Sequence, residues 1–262
     1  MTPRAPLLRL GTLNLESHLR DPARKQAFVT PMFDVIAPRY DAFTRLFSFG
    51  MDAGWKRDAI AASVGPGLHA RSQDCDVLDL ASGTGDLAVG IARALPTARV
   101  SALDASLEMV RAATRRLATR DADVSARVRV MVGDMTTLPI PDASMDIVTA
   151  GYGVRNAPDA TRAILEMRRV LRPGGRLVLL DFYRPEQRLW RLVLLRYLQT
   201  AGNAVGWWWH RDPVVYGYIA RSIDLFMSWQ QCSAILSHNG FRVARVSQHL
   251  GGGVAQHEAI AV

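Results

Sequence analysis

The sequence predicts an α/β fold: a mostly parallel sheet with helices on both faces. Three observations predict it. Val77-Leu78-Asp79-Leu80 is an apolar run too short for a helix, Ala81-Ser82-Gly83-Thr84-Gly85-Asp86 closes it with glycines, and Leu87-Ala88-Val89-Gly90-Ile91-Ala92 continues with helical spacing. That order reads as a buried parallel strand feeding a helix through a tight turn. The alternation then repeats downstream, which is the pattern of a wound α/β sheet.

In chain order, residues 1–27 mix Pro3, Pro6 and Pro22 with arginines and contain no apolar stretch long enough for a signal peptide. A loose N-terminus on a cytoplasmic protein is the expectation. Glu16 and Asp21 weigh against an organellar leader despite Arg4, Arg9 and Arg20. From Phe28 to Arg57, aromatic and apolar residues recur at helical spacing between Pro31, Pro38 and Gly50. They predict short helices, broken at the prolines, that cap an apolar surface. Tyr40 and Asp41, just past Pro38, either belong to that cap or face a substrate.

The glycine turn is the candidate cofactor floor. Gly83 and Gly85 allow a tight turn and close approach of backbone to a ligand, and Asp79 lies at the carboxyl end of the strand, where open α/β sheets bind ligands. A dinucleotide fingerprint would place its third glycine where this chain has Ala88. Asp79 and Asp86 are poor neighbours for a pyrophosphate and good ones for an ammonium group. S-adenosylmethionine (SAM), which has an amino group, a ribose and an adenine but no phosphate, suits them; a ligand-free connection is the competing reading.

Two further acids follow at strand ends. Arg99-Val100-Ser101-Ala102-Leu103 ends on Asp104, about 20 residues past the glycines, where a carboxylate can hold ribose hydroxyls. Asp104 before Ala105-Ser106-Leu107 is alternatively a helix cap. Leu107 to Leu117 reads as an amphipathic helix. Val128 to Val132 is the next strand, and Asp134 and Met135 after it could accept the adenine amino proton and pack on the ring.

Met145 to Ala150 is a fourth strand, ending in Gly151-Tyr152-Gly153-Val154-Arg155-Asn156, a polar rim for a ligand. Asp159 caps a helix carrying Ile164, Met167 and Leu171, which stops at Pro173-Gly174-Gly175 before a fifth strand, Arg176 to Phe182. Leu189 to Trp209 is the most apolar segment. Arg191 and Arg196 lie inside it, and Gly202-Asn203 and Gly206 interrupt it, so a membrane span is rejected. A lid over an apolar substrate, a helix at a membrane surface and ordinary core remain as readings. Residues 241–246 and 255–261 finish the chain as an antiparallel pair of strands.

Composition bounds the rest. The 262 residues are 49% hydrophobic and 21% charged, with a formal net charge of +8. Lysine occurs only as Lys25 and Lys56, and the arginines are scattered, so compositional bias explains the charge better than nucleic acid does; attraction to anionic lipid comes second. Cys75 and Cys232 have no metal-ligand spacing, and no metal is expected.

With these residues in place, the chain resembles the ubiquinone/menaquinone biosynthesis C-methyltransferase family from about Met32 to the end. The general part of the resemblance is Leu78 to Asp86 with Leu171-Arg172-Pro173-Gly174-Gly175. Its specific part is Phe33-Asp34-x-Ile36-Ala37-x-x-Tyr40-Asp41, Ser48-Phe49-Gly50, Trp55-Lys56-Arg57, Gly151 to Asn156, and Tyr216-x-Tyr218-x-x-x-Ser222-Ile223. The chain departs from the pattern at Asp181-Phe182-Tyr183-Arg184-Pro185, at the tryptophans from 207 to 209, and at His257-Glu258.

The resemblance implies a class I SAM-methyltransferase, Rossmann-like fold: a mostly parallel seven-stranded sheet, its last strand antiparallel. It divides one domain into an N-terminal cap (1–74), a SAM-binding core (75–186), lid helices (187–240) and terminal strands (241–262). It implies cofactor contacts at Thr84, Asp104 with Ala105, Asp134 with Met135, and Gly151, alongside Asp79, Gly83 and Gly85 of the turn. Tyr40, Arg155 and Asn156 match the quinol side. The reaction implied is methylation of a ring carbon of a reduced polyprenyl quinone precursor, demethylmenaquinol first. Arg155, oriented by Asn156, is expected to stabilise the phenolate while water or Tyr40 relays the proton. A quinol with an apolar tail, no nucleic acid, a peripheral membrane contact and a homodimer complete the expected partners.

Overall fold

The computed structural model describes residues 19, 21–40, 44, 45, 48, 50–65, 74–120, 122–210 and 214–262. The expectations for Asp41, for Phe49 and for the leader arginines lie outside these residues. So do the side chains of Trp207, Trp208, Trp209 and Tyr216.

Helix α1 (Pro22–Ile36) leads through a 3-10 turn (Ala37–Arg39) to α2 (Asp52–Ser63). The alternating part follows: β1 (Asp76–Leu80), α3 (Asp86–Ala94), β2 (Arg99–Asp104), α4 (Leu107–Leu117), α5 (Ala122–Arg127), β3 (Val128–Val132), β4 (Met145–Gly151), a 3-10 turn (Val154–Asn156), α6 (Ala160–Val170) and β5 (Leu171–Phe182). Three helices, α7 (Arg188–His210), α8 (Val214–Leu225) and α9 (Trp229–His238), precede β6 (Phe241–His249) and β7 (Val254–Ala261).

The seven strands form one sheet in the order β3-β2-β1-β4-β5-β7-β6. The first five are parallel, and β7 runs antiparallel to both β5 and β6. The chain winds outward from β1 to β3 and then returns to β4 on the other side of β1. Ligands in open α/β sheets bind at such a reversal, outside the carboxyl ends of the strands. Strand alternation sorts the core into two layers: Val77 packs with Ala88, Ile91 and Ala92 of α3, whereas Leu78 and Leu80 pack with Ile164 and Met167 of α6.

Over the carboxyl ends lies a separate apolar cluster, in which Phe28, Met32 and Ile36 of α1 meet Leu194 and Leu198 of α7 and Tyr218 and Ile223 of α8. This is the roof of the site. Asp34 of α1 accepts the hydroxyl proton of Ser106 at the start of α4, and Lys25 Nζ donates to the Arg155 carbonyl at 2.9 Å. These two bonds fasten the roof to the sheet. Helix α9, by contrast, sends Cys232 and Leu236 into the core beside Phe241 and Ala259.

Several boundaries differ from the sequence reading. Pro31 lies inside α1, where the missing N–H and the ring are accommodated within one continuous helix. Gly202, Asn203 and Gly206 likewise sit within α7. The segment from Pro173 to Gly175 does not delay β5: Leu171 already pairs with Met145, and the register then shifts to pair Ile147 with Arg176. Helix α5 carries a single buried residue, Val124, and left no readable apolar stripe. Among the described residues, no helix is long and apolar enough to cross a membrane.

Candidate active site

Three adjoining cavities open at the carboxyl ends of β1, β2 and β4. The first, about 630 Å³, runs from Gly83 past Asp104 and Ala105 to Asp134 and Met135, with Gly151 and Asn156 on its far wall. The second, about 690 Å³, lies under the roof and is lined by Met32, Phe33, Ile36, Phe182 and Leu198. A smaller one, about 370 Å³, is bounded by Lys56, Asp79, Thr84 and Asp86. Tyr40 and Tyr152 border all three.

The floor of the first cavity is made of backbone because side chains do not fit there. Gly83 turns with φ +54°, and a Cβ on Gly153 would stand 2.3 Å from that of Ala81. Gly85 (φ +86°) caps α3 from behind the turn and is not on the cavity wall. It shapes the turn without facing the space.

Asp104 is 9% exposed, and its two oxygens each take one backbone N–H, from Gly83 and from Ser106, both at 2.8 Å. Ser106 is the residue that caps α4, accepting from the Met109 N–H, so Asp104 is not the helix cap. Each carboxylate oxygen keeps acceptor capacity toward the cavity. Burial pushes the Asp104 carboxyl up from its ordinary value, against the backbone bonds that pull it down. Asp134 accepts the N–H and the hydroxyl of Thr136, each at 2.8 Å, and Met109 and Met135 supply apolar wall beside it.

Asp79 is 1% exposed and braced from two sides, by the Thr149 hydroxyl at 2.7 Å and the Ala88 N–H at 3.2 Å. Burial raises its carboxyl to about 7. Asp86 does not wait for a ligand's ammonium group: Lys56 Nζ lies at 2.8 Å and Arg116 Nη2 at 2.6 Å. Thr84 accepts from Arg116 at 3.2 Å. The chain's own cations therefore answer Asp86, and Lys56 is the residue there that the sequence reading left without a role.

On the rim that follows β4, Arg155 is 5% exposed, and Asn156 is not what orients it. Its Nη1 donates to Asp181 at 3.0 Å and its Nε to the Ser222 hydroxyl at 3.1 Å, while its backbone N–H reaches the second Asp181 oxygen at 2.9 Å. Asn156 instead donates to the Tyr152 carbonyl and accepts the Tyr218 hydroxyl proton at 2.8 Å. Residues Ser222 and Tyr218 of α8 thus hold the rim by side chains. Both stood in the matched sequence blocks, but their partners become visible only when α8 packs on the turn that follows β4.

Tyr152 holds φ +61°, a conformation bulky residues rarely adopt, and its buried hydroxyl has no hydrogen-bond partner among the described residues. Ser82 Oγ on the small cavity is also buried and unpartnered. Orphaned polar atoms on a cavity wall fit a ligand that supplies the missing bonds. Among the described residues no Lys, Arg or His lines the first cavity, whereas Asp104 and Asp134 do. That donor set suits an unphosphorylated nucleoside and repels a pyrophosphate, so the residues present fit SAM.

The comparisons with known proteins agree with this chemistry. Residues 21–261 match the sequence profile of the ubiE/COQ5 methyltransferase family. A demethylmenaquinone methyltransferase of Deinococcus radiodurans is 35% identical over 222 residues, covering 85% of this chain and 88% of the relative. A ubiquinone/menaquinone biosynthesis C-methyltransferase of Geobacter sulfurreducens is 34% identical over 215 residues, covering 82% and 80%. Among solved structures, the geranyl diphosphate C-methyltransferase of Streptomyces coelicolor, in complex with Mg2+, geranyl diphosphate and S-adenosyl-L-homocysteine, superposes with a TM-score of 0.59 at 13% identity, over 80% of this chain and 79% of that one. That last likeness speaks for the fold: a class I SAM-dependent methyltransferase sheet. With the profile spanning nearly the whole sequence and relatives above one-third identity on most of it, the chain belongs to the ubiE/COQ5 methyltransferase family.

Proposed function

We propose that this enzyme transfers the methyl group of SAM to a ring carbon of a reduced polyprenyl quinone precursor, with demethylmenaquinol as the first candidate. The observation that carries the reading is the second cavity. It is walled largely by aliphatic and aromatic side chains, shares Tyr40, Tyr152 and Asn156 with the cofactor cavity, and carries polar groups at Asp52, Arg155 and Asn156. An aromatic ring bearing hydroxyls suits the polar part; a hydrocarbon tail suits the rest.

SAM supplies an electrophilic methyl group. In this reading Gly83, Thr84 and Asp79 form its floor with Gly85 shaping the turn behind it, Asp104 and Ala105 hold the ribose, Asp134 and Met135 the adenine, and Gly151 the wall beside the sulfonium. On the quinol side, a guanidinium stays protonated in proteins and cannot take the hydroxyl proton. Arg155 acts as an electrostatic clamp on the developing phenolate. Two of its five N–H donors are engaged by Ser222 and Asp181, and Phe182 lies 5.6 Å beneath its central carbon. Asn156 and Tyr40 position the ring between clamp and cofactor, and the roof excludes water.

The finer claim of a peripheral membrane contact rests on α7. Leu189, Leu192 and Val193, one turn apart on the outer surface, are 71%, 60% and 50% exposed, and Arg188 and Arg196 flank them. The inner face of the same helix contributes Leu198 to the substrate cavity. An apolar stripe bordered by cations is the form of a helix that rests on an anionic bilayer, where a long-tailed quinol resides.

The test is to incubate the purified protein and labelled SAM with chemically reduced demethylquinones of varied ring and tail, and to identify products by mass spectrometry. A C-methylated naphthoquinol or benzoquinol supports the reading. Failure of every quinol, with turnover of some other aromatic, replaces it.

A further inference from the structure

We infer that Asp52 is the proton acceptor for the substrate's ring hydroxyl. The inference rests on the quinol reading above and identifies the base that reading requires.

Asp52 opens α2 and lines the substrate cavity, although its residue is only 7% exposed. Ser48 donates its hydroxyl proton to Asp52 Oδ1 at 2.8 Å, and Lys56 Nζ stands 3.4 Å from Oδ2. These contacts fix the carboxylate and leave acceptor capacity on both oxygens. Among the described residues that line this cavity, Asp52 is the sole carboxylate. Arg155 cannot accept a proton, and the Asn156 oxygen already takes the Tyr218 hydroxyl. The other titratable groups around the cavity are the phenols of Tyr40, Tyr152 and Tyr218, which burial holds in their protonated form, with Arg155 across the cavity and Lys56 on the same helix. Asp181 is committed to Arg155 and does not line the space.

The bonds balance as follows. The ring hydroxyl gives its proton to Asp52, and the oxygen's electron pair moves into the ring. The adjacent ring carbon forms the new bond to the methyl carbon as the sulfur–methyl bond breaks, its pair remaining on sulfur. That ring carbon then loses its hydrogen to water, the C–H pair restores aromaticity, and Asp52 returns its proton to the oxygen. One proton leaves to solvent for each methyl transferred, and Asp52 ends as a carboxylate.

The test uses Asp52→Asn, an isosteric change, in the full-length enzyme. A general base of this kind is worth about 10² to 10⁴ in rate. Turnover with reduced demethylquinone should fall about 100-fold or more at pH 7 and then climb nearly tenfold per pH unit as hydroxide replaces the lost base, with SAM affinity unchanged by calorimetry. A readout without turnover is the binding of a substrate-like naphthol and of its methyl ether. Wild type should favour the naphthol about 10-fold or more over the ether, the scale of a hydrogen bond to a charged group, and Asp52→Asn should erase that preference while binding the ether normally. Ser48→Ala, which leaves the carboxylate but removes its brace, should lower turnover several-fold and serves if Asp52→Asn does not fold. An active wild type alongside an Asp52→Asn enzyme within threefold of it from pH 6 to 9 overturns the inference, as does loss of SAM affinity alone. A wild type that methylates no quinol fails the underlying reading instead.

Discussion

Arg155 and Asp181 form a buried ion pair at 3.0 Å, and the same carboxylate holds the backbone N–H of Arg155 at 2.9 Å. The side chains are 5% and 1% exposed, so neither charge has water to fall back on. Burial alone pushes the Asp181 carboxyl up, and the guanidinium is the largest influence opposing it. Removing one partner of such a pair leaves the other uncompensated, which typically costs about 3 to 5 kcal/mol. Asp181→Asn should therefore lose that much unfolding free energy in urea, and Arg155→Ala should be destabilised on the same scale. An Asp181→Asn protein as stable as wild type would show that the pair carries no such cost.

The catalytic role proposed for Arg155 is separable from this structural part by Arg155→Lys. Lysine keeps a positive charge near Asp181 but lacks the planar fork that reaches Ser222 and the ring oxygen together. Loss of a preorganised donor typically lowers turnover by about 10² to 10³. The folded variant should bind SAM normally and show that loss in kcat, measured with saturating reduced quinol. Full activity would reduce Arg155 to a brace for its loop.

Asp104 joins two turns as well as lining the first cavity, so if that cavity holds SAM, Asp104→Ala should do two things. SAM affinity should weaken by about 1.5 to 3 kcal/mol, the worth of hydrogen bonds to a charged group. The free protein should also lose stability, because the N–H groups of Gly83 and Ser106 lose their acceptor. Calorimetry and thermal melting separate the two; unchanged SAM affinity would remove Asp104 from the cofactor site.

Much of this site was legible in the sequence, for a reason specific to its residues. Asp79, Asp104 and Asp134 lie at or just past the carboxyl ends of apolar runs, and a parallel sheet puts those strand ends on one edge, so their gathering needs no long-range information. Arg155 was legible as a residue of the rim, but its partner was not. Asp181 is 26 residues away and meets it only because β4 and β5 are adjacent in a parallel register. Asp86 misled for a similar reason: Lys56 and Arg116, which neutralise it, come from helices before and after the turn. Pro31 marked a break that the roof's packing overrode, with Phe28, Met32 and Ile36 buried along one side of a continuous α1.

Asp79 gives the free enzyme a pH signature. Its carboxyl titrates near 7 in the fold against about 3.9 unfolded, so between these values the folded state holds the extra proton. Stability from this group is full below about pH 4 and is lost as pH rises through about 7. Asp79→Asn, which can still accept from Ala88 and meet Thr149, removes the titration. The difference in unfolding free energy between wild type and variant should shift against wild type by up to about 1.4 kcal/mol per pH unit from pH 4 to 7 and level off above. A difference independent of pH would place the carboxyl in its ordinary range.

The last prediction separates the outer from the inner face of α7. Leu189, Leu192 and Val193 are exposed, so replacing all three with serine removes little folded-state packing and should change unfolding free energy by about 0.5 kcal/mol or less per site. If the stripe rests on lipid, each side chain contributes up to about 1.5 to 3 kcal/mol of apolar transfer when fully inserted, so even partial insertion makes the triple variant's binding to vesicles of anionic phospholipid fall at least tenfold. Activity on a long-tailed quinol presented in those vesicles should fall with it, while activity on a tail-less quinol in water should not. Leu198→Ala, on the inner face, predicts a different pattern: it is 2% exposed and lines the substrate cavity, so it should lower stability and impair substrate use whether or not vesicles are present. Vesicle binding by the serine variant equal to wild type would return the stripe to ordinary surface, and an equal loss of both activities would point to a role inside the fold.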